Sequence, residues 1–312
     1  MLTEIPTVTL TNGVREPVRM PVIAAGTAGF KGPAATHAVA TALRAGLTHV
    51  HTAFDYFNLP EIGEALAQWP RQRLFISSMT SPCSHPAAPP KRNVTDPAAC
   101  YNLTLTEAET LFTALNLQHI DLLMLHGPSE AFGHVGPCSR LACQLNSAQW
   151  RAYNVLLTSG RVRAIGVSNF CQSCFECLAA DGSSAAAVVP AVNQIQVHVG
   201  SGRDPGGLLS YCTRKGIVVQ AYEPLAGGEL VTDPDCASIG RALGNRTSAQ
   251  VALRWALSRV PSLAVRSASS KHLADDLGAL NFQLTAPQLA TLDAKTSPHG
   301  EAGGRCSWGC TA

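Results

Sequence analysis

Eight short apolar segments recur along the chain, and longer mixed stretches separate them. Each segment has about the length of a buried strand and is too short for a buried helix. They cover residues 20–25, 48–53, 74–79, 121–126, 162–168, 191–197, 218–222 and 262–267. Strands that are apolar on both faces occur in parallel sheets with helices packed against both sides. The repetition therefore predicts an eight-stranded parallel sheet.

Stretches with helical periodicity follow all eight segments, at residues 34–45, 60–67, 105–115, 147–157, 172–179, 204–215, 237–243 with 248–258, and 271–277 with 285–295. Eight alternating strands and helices predict an α/β fold that closes into a (β/α)8 barrel, the TIM barrel. A doubly wound sheet is the alternative, but no Gly-x-Gly-x-x-Gly follows an early strand. The composition shows no break, so we expect a single domain over residues 1–312 with a C-terminal tail at 298–312.

A small hairpin precedes the repeating units, and three segments interrupt them. Residues 7–22 contain two extended runs joined at Asn12-Gly13, a pair typical of hairpin turns, which predicts an N-terminal β-hairpin. Residues 80–102, residues 127–144 and the tail after residue 297 are predicted to be loops. The first two follow strands three and four, so they emerge at the carboxyl face, where barrel enzymes have their active sites. We expect them to line a substrate pocket.

Composition and charge narrow the classes of partner. Of 312 residues, 46% are hydrophobic and 14% are charged, and the formal net charge is +2. The chain has no basic run that would bind nucleic acid and no apolar stretch near the roughly 20 residues of a membrane span. We expect a small-molecule substrate, and neither nucleic acid nor a membrane, as partner. The start of the chain lacks a secretory signal, which favours the cytoplasm. Nothing in the sequence indicates the oligomeric state.

The chain contains eleven cysteines. Their odd number and scattered spacing argue against a disulfide framework. Cys171, Cys174 and Cys177 have a spacing seen in metal sites, but they lie on a predicted helix and have no evident fourth ligand, so we expect no metal. Cys306 and Cys310 lie in the tail, where a redox-active pair is a lesser hypothesis.

Three strand-end segments carry a more specific pattern. The fifth strand lies in Gly160-Arg-Val-Arg-Ala-Ile-Gly-Val-Ser-Asn-Phe170, the sixth in Pro190-Ala-Val-Asn-Gln-Ile-Gln196, and the seventh in Gly216-Ile-Val-Val-Gln-Ala-Tyr-Glu-Pro-Leu225. These segments resemble the aldo-keto reductase family, and the resemblance extends from about residue 5 to residue 293. It implies a barrel that binds a nicotinamide cofactor.

The resemblance assigns binding roles at the strand ends. Ser168, Asn169 and Gln194 match the side chains that hydrogen-bond the nicotinamide carboxamide, and Tyr222 matches the aromatic residue that stacks on the ring. Leu225 is also placed against the cofactor. This set suits the ligand, because an amide needs donors and acceptors at fixed positions and an aromatic plate covers one face of a ring.

The end of strand eight carries the positions that bind the adenosine 2′-phosphate in the family. These positions are Arg266, Ser267 and His272 here, and an Arg guanidinium can bind phosphate through two parallel hydrogen bonds. The resemblance therefore favours NADPH over NADH. The family's adenine-contacting Glu-Asn pair is Asp275-Asp276 in this chain, and two acidic side chains would oppose a phosphate.

The catalytic positions depart from the family pattern. Tyr56 matches the proton donor and His126 the residue that orients the substrate oxygen, but His51 stands at the Asp position and Met79 at the Lys position. Met79 is therefore expected to be inactive. A Lys ammonium normally favours ionisation of the Tyr, whose reference pKa is about 10. His51 could replace that charge when protonated, bond Tyr56 directly or act as the acid itself; a histidine that only fills space is the alternative. The sequence does not predict where Asp55 points.

Three functions follow from these residues. The first is an NADPH-dependent oxidoreductase that reduces a carbonyl or related group of a small molecule, with Tyr56 as proton donor assisted by His51 and His126. The second is a catalytically impaired protein that binds NADPH and senses or scaffolds. The third is a non-redox acid–base enzyme on the same barrel. The substrate is determined by the predicted loops and the tail, so the sequence does not identify it.

Overall fold

A closed barrel of eight parallel strands forms the centre of the computed structural model, which describes residues 5–85, 92–129, 137–178 and 188–298. In chain order the strands are β1 (Thr7–Leu10), β2 (Val18–Pro21), β3 (Ile23–Gly26), β4 (His49–His51), β5 (Phe75–Thr80), β6 (Ser84–His85), β7 (Arg92–Asn93), β8 (Ile120–Leu125), β9 (Val162–Ser168), β10 (Val192–Gln196), β11 (Val218–Tyr222) and β12 (Ser262–Val265). The barrel order is β3-β4-β5-β8-β9-β10-β11-β12, and β12 pairs with β3. The predicted (β/α)8 barrel is confirmed, with its strands at the eight predicted segments.

Helices follow every barrel strand. They are α1 (Pro33–Arg44), α2 (Leu59–Leu66), α3 (Pro97–Ala114), α4 (Arg140–Thr158), α5 (Gln172–Cys177), α6 (Leu208–Arg214), α7 (Pro234–Ala242), α8 (Ser248–Arg259), α9 (Ser270–Gly278) and α10 (Ala286–Asp293). Short 3-10 turns lie between several of these elements. Within the described ranges, no helix combines the length and the apolarity needed to cross a membrane.

Two helices begin seven or eight residues earlier than predicted. α3 begins at Pro97, where the Asp96 carboxylate accepts hydrogen bonds from two backbone N–H groups of the first turn. α4 begins at Arg140, and the Ser139 hydroxyl caps it in the same way. The predicted loops 80–102 and 127–144 are therefore too long at their C-terminal ends. Capping residues set where a helix begins, whereas apolar periodicity detects only the part that packs on the core. Residues 86–91, 130–136 and 299–312 of these segments and of the tail lie outside the described residues.

The predicted hairpin is present and covers the amino-terminal end of the barrel. The segment 20–25 is divided between β2 and β3, and β1 pairs with β2 in antiparallel register. Leu10, Val18 and Met20 are buried against side chains inside the barrel. Gly13, with φ +57°, lies where a Cβ would be 2.7 Å from the Ile165 carbonyl oxygen, so this turn requires glycine.

Apolar side chains fill the space between barrel and helices as one continuous core. Trp150 and Tyr153 on α4, Trp255 on α8 and Phe170 after β9 are fully buried in it. Inside the barrel, alternate residues point inward, and Phe75, Met79, Leu122 and Met124 form a smaller apolar cluster near the hairpin. Packing of the helices on the barrel thus fixes the positions of the strand ends.

Two disulfide bonds between described residues join elements beside the carboxyl face, in contrast to the expectation from cysteine spacing, and Cys171 and Cys174 are disulfide-bonded as well. Cys83 after β5 is bonded to Cys100 in the first turn of α3, and Cys143 on α4 is bonded to Cys177 on α5. Spacing could not indicate these pairs, because folding brings together cysteines from different strand–helix units. Disulfides persist mainly in oxidising compartments, so these bonds do not support the cytoplasmic location suggested by the start of the chain.

Replacing Cys83 and Cys100 by Ala should lower the free energy of unfolding by about 3 kcal/mol, because their bond closes a loop with a sequence separation of 17 residues. Urea unfolding followed by circular dichroism measures the effect. Wild-type protein in excess reductant is the control and should lose at least as much stability. An unchanged unfolding midpoint in the double variant would show that the bond contributes nothing.

Candidate active site

A cavity of about 550 Å³ opens at the carboxyl ends of the barrel strands. All predicted site residues except Met79 and Ser267 line it: His51, Tyr56, His126, Ser168, Asn169, Gln194, Tyr222, Leu225, Arg266 and His272. They come from six of the eight strand ends or the segments after them. A concave site with apolar walls and a few convergent polar groups is typical of small-molecule binding.

Hydrogen bonds preorganise the side chains at the ends of β9 and β11. The Ser168 hydroxyl donates to the Gln194 carbonyl at 2.8 Å, and the Asn169 amide donates to the Ser168 hydroxyl at 3.1 Å. The Tyr222 hydroxyl donates to Asn169 Oδ1 at 3.0 Å. Asn169 has a left-handed φ of +60°, a conformation that Asn tolerates better than most residues. The predicted amide-binding residues therefore lie together in defined orientations.

Gln194 is oriented by a chain of buried amides across the barrel. Its Nε2 donates to Gln220 Oε1 at 2.6 Å, and Gln220 Nε2 donates to the Ser262 hydroxyl at 2.9 Å. In the described part of the chain, Gln194 Oε1 has no hydrogen-bond partner, and the residue lines the cavity. This acceptor matches the N–H of a carboxamide ligand.

Arg266 lies at the far end of the cavity and is held by the segment after β3. Its guanidinium donates to the Ala28 carbonyl at 3.1 Å and lies 5.7 Å from the Phe30 ring centre. Gly29 permits this approach, since a Cβ there would lie 2.7 Å from Arg266 Nη1. A guanidinium has five N–H donors and this one uses a single hydrogen bond within the described residues, so it can bind an anion.

The first turn of α9 lies beside Arg266 and mixes favourable with unfavourable groups for an anion. The Ser269 hydroxyl caps α9 by accepting from the His272 N–H, and the Ser267 hydroxyl accepts from the Ser269 N–H. Ser267 therefore lies in the cap and outside the cavity lining. Asp276 is buried at the cavity, and burial raises its pKa to about 7, with a further contribution from Asp275. About half of its charge is thus absent at neutral pH.

Tyr56 lies in a 3-10 turn, Phe54–Tyr56, immediately after β4. Its ring packs on the apolar cluster that contains Met79. Burial raises the pKa of Tyr56 above its usual value, and the negative charge of Asp55 adds to the shift. Met79 is fully buried and supplies no compensating charge. Tyr56 is therefore a neutral phenol that can donate a hydrogen bond.

His126 extends from the end of β8 towards Tyr56, and their ring centres are 5.6 Å apart. Both carboxylate oxygens of Asp55 lie 2.8 Å from His126 Nδ1. The carboxylate accepts a hydrogen bond from Nδ1–H and holds the ring so that Nε2 is the other functional nitrogen. Asp55, whose direction the sequence does not predict, is thus a partner of His126.

His49, Ser77 and His51 form a buried chain of hydrogen bonds on β4 and β5, which we call the relay, and His51 is its last member. Ser77 Oγ lies 2.8 Å from His49 Nε2 and 3.0 Å from His51 Nδ1, and His49 Nδ1 lies 3.2 Å from the Pro21 carbonyl oxygen. Burial lowers the pKa of His49 to about 4 and that of His51 to about 3, the latter also through the charges of His49 and His126, so both rings are neutral near pH 7.

The relay determines which nitrogen carries each proton. A carbonyl only accepts, so His49 is protonated on Nδ1 and its Nε2 accepts from the Ser77 hydroxyl. Ser77 Oγ must then accept from His51 Nδ1–H. His51 Nε2 is left as a buried lone pair without a partner in the described part of the chain. His51 does not bond Tyr56 in this structure.

The sequence interpretation missed Asp55, His49 and Ser77. His49 and Ser77 had a detectable signal. His49 and His51 occupy inward positions two residues apart on β4, and Ser77 lies directly opposite His51 on β5. A polar residue at an inward barrel position needs a polar neighbour across the strands. Asp55 had no such signal, because it lies in a turn.

Comparisons with known proteins cover most of the chain and agree on one family. A family model described as the aldo/keto reductase family matches residues 22–297. An aldo-keto reductase of Mycolicibacterium smegmatis is 30% identical over 93% of this chain and 90% of its own, and morphine 6-dehydrogenase of Pseudomonas putida is 27% identical over 92% and 90%. The crystal structure of the aldo-keto reductase MGS-M4 from a deep-sea metagenome library superposes with a TM-score of 0.75 at 25% identity, covering 93% of this chain and 97% of that one.

The relay predicts a loss of stability in acid. Both histidines have an ordinary pKa of 6.5 when unfolded, so below that pH the unfolded chain takes up protons that the folded chain cannot. Stability is therefore complete above about pH 7 and is lost as pH falls towards 4, by about 2 kcal/mol per histidine at pH 5. Urea unfolding at pH 7.5 and pH 5.0 checks this.

Matched variants show whether the loss of stability in acid comes from the relay or from other histidines. His51→Gln should remove about half of the acid-dependent loss, whereas His37→Gln, at an exposed position on α1, should leave it unchanged. Identical pH dependence in wild type and His51→Gln would contradict the assignment of a buried neutral His51.

Proposed function

The chain belongs to the aldo/keto reductase family and is an NAD(P)H-dependent oxidoreductase, and we propose that it uses NADPH to reduce a carbonyl group of a small molecule. The observation that carries this proposal is the position of Tyr56 and His126, whose ring centres lie 5.6 Å apart in the cavity that also holds the amide-binding side chains. A carbonyl oxygen bound between them would accept one hydrogen bond from each of the two side chains.

The donor set fits a nicotinamide cofactor. We propose that Ser168, Asn169 and Gln194 hold its carboxamide and that Tyr222 lies against its ring. Gln194 Oε1 supports this assignment, because it has no hydrogen-bond partner in the described part of the chain, the residue lines the cavity, and an amide oxygen accepts from the N–H of a carboxamide. When bound, the cofactor would supply a hydride to the carbonyl carbon. The protein's part is to orient both reactants.

The other end of the cavity supports a preference for NADPH over NADH. Arg266 and His272 would bind the 2′-phosphate, with Ser267 holding the first turn of α9 in place and Leu225 against the cofactor. Asp275 and Asp276, which the sequence places as unfavourable for phosphate binding, are less unfavourable in the folded chain. Lys271 lies 3.1 Å from Asp275, and Asp276 has a pKa of about 7. The negative charge near the phosphate site is therefore smaller than the sequence suggests.

NADPH affinity should fall above pH 7 as Asp276 ionises near the phosphate, and Asp276→Asn should remove this fall. At pH 8 we expect the variant to bind NADPH about three to ten times more tightly than wild type, the effect of one partly screened charge. Cofactor fluorescence titrations at pH 6.5 and pH 8 measure it.

Two controls accompany this experiment. Asp275→Asn should change NADPH affinity by a similar factor at both pH values, and NADH, which lacks the phosphate, should bind Asp276→Asn and wild type alike. An Asp276→Asn variant that keeps the wild-type pH dependence would show that Asp276 does not face the phosphate.

The role that we propose for His51 is not to replace the charge of the missing Lys. With a pKa of about 3 it remains neutral at neutral pH, so the hypothesis that protonated His51 supplies the missing charge is not supported. Its Nε2 can only accept, and the Tyr56 ring, whose hydroxyl carries a proton, has its centre 6.3 Å from that of His51. If Tyr56 donated to this nitrogen it could not donate to the substrate, so we assign His51 to the neutral hydrogen-bond chain with Ser77 and His49. Met79 remains an apolar neighbour.

The proposed activity has a direct test. Purified protein should oxidise NADPH in the presence of some aldehydes, ketones or quinones, slowly because the charge beside Tyr56 is missing. The double variant His51→Asp with Met79→Lys should raise kcat about 10²-fold or more, the contribution of a matched general acid. Met79→Leu, which keeps the position apolar, is the control and should match wild type.

The outcomes distinguish the three functions. NADPH binding without turnover in wild type, together with gain of turnover in the double variant, would identify an impaired cofactor-binding protein. Absence of NADPH binding would favour non-redox acid–base chemistry by Tyr56, His126 and His51. The cytoplasmic location stays a prediction, and the disulfides between described residues argue against it.

A further inference from the structure

The pair of Asp55 and His126 is a feature of this chain that the proposed function does not yet use. Both Asp55 oxygens lie 2.8 Å from His126 Nδ1, and the two side chains are 9% and 13% exposed. His126 lines the cavity beside Tyr56. The pair is therefore shielded from bulk solvent and borders the place where a substrate oxygen would lie.

Tyr56 is a weak source of a proton in this setting. Its ring packs against the apolar cluster that contains Met79, the Lys31 ammonium is hydrogen-bonded to its backbone carbonyl and not to its hydroxyl, and burial raises its pKa. Asp55 adds a negative charge next to it in sequence, which opposes a tyrosinate further. The same carboxylate accepts a hydrogen bond from His126 Nδ1–H and fixes the orientation of that ring. One carboxylate thus opposes a tyrosinate at Tyr56 and positions His126.

Charged and titratable groups face the pair from several elements. They are Tyr56, His51 on β4, His85 on β6, Arg92 on β7 and Glu223 after β11. Burial lowers the pKa of both His51 and His85, so neither competes for a proton near pH 7. Arg92 is hydrogen-bonded to Glu107. Among the cavity histidines in the described ranges, His126 is the one paired with a carboxylate.

We propose that His126, positioned by Asp55, delivers the proton to the carbonyl oxygen, while Tyr56 donates only an orienting hydrogen bond. The inference rests on the proposed carbonyl reduction. The carbonyl carbon gains the hydride, the C=O π electrons move to oxygen, and oxygen takes the proton from His126 Nε2. The carbonyl is reduced to an alcohol, the cofactor is oxidised, and neutral His126 regains a proton from solvent. His126 is the catalytic residue, and Asp55 is a positioning residue.

Kinetics with NADPH and a carbonyl compound that wild type reduces test the assignment. Tyr56→Phe should lower kcat less than about 10-fold, whereas His126→Gln and Asp55→Asn should lower it about 10²- to 10⁴-fold, as expected for a lost general acid. Glu223→Gln removes another acidic group of the cavity and should stay within about threefold of wild type. A loss in Tyr56→Phe that exceeds the loss in Asp55→Asn would overturn the proposal.

The split between kcat and KM separates positioning from a structural role. In Asp55→Asn the loss should fall on kcat, with KM for the carbonyl compound within about threefold of wild type, because the carboxylate acts through His126 and does not contact the substrate. NMR of the histidine ring nitrogens in cofactor-free protein should place the proton of neutral His126 on Nδ1 in wild type, where Asp55 accepts it, and this preference should weaken in Asp55→Asn. Glu223→Gln should leave kcat, KM and the His126 ring signals near their wild-type values.

The two proposals fail in different ways. If no carbonyl compound supports NADPH oxidation in wild type, the proposed function fails and this inference fails with it. If wild type is active but the NMR signals of the His126 ring nitrogens are identical in Asp55→Asn and wild type, only the assignment of Asp55 as positioning residue is overturned.

Discussion

Parallel strands of a barrel have no unpaired edges only when the last strand pairs with the first, and here β12 pairs with β3 through Leu263, Ala264 and Val265. This closure has a second effect. All eight strands end on one rim, so residues far apart in sequence, such as Tyr56 and Tyr222, border one cavity. The helices and the N-terminal hairpin stabilise the closed ring by burying its two sides and its amino-terminal end. The candidate site depends on that closure more than on any single contact.

The barrel interior next to the site holds neutral polar groups instead of an ion pair. His49, Ser77 and His51 form one chain of hydrogen bonds that starts at the Pro21 carbonyl. Met79 stands where the family resemblance places Lys, so the interior carries no charge to favour a tyrosinate at Tyr56. Neutral relays avoid the cost of burying charges but cannot stabilise a developing charge as strongly as an ion pair.

The carboxylate of the site lies at the rim instead of in the interior. Asp55 belongs to the turn after β4, and it contacts His126 instead of a lysine. In the proposed mechanism, acid–base chemistry thereby lies at the mouth of the barrel instead of in its interior. A site rearranged in this way can keep the cofactor geometry of the family, because Ser168, Asn169 and Gln194 are oriented by bonds independent of Asp55.

Much of the fold and of the binding site was predictable from the sequence, because both depend on local patterns. Apolar segments of strand length determine the barrel, and residues at strand ends such as Ser168 and Tyr222 must lie on its rim. Tertiary structure alone decided the contact of Asp55 with His126, the place of Ser77 between two histidines and the two disulfide pairs. Each of these joins residues from different strand–helix units, and the direction of a turn side chain or the proton on a ring nitrogen depends on the neighbour that folding brings to it.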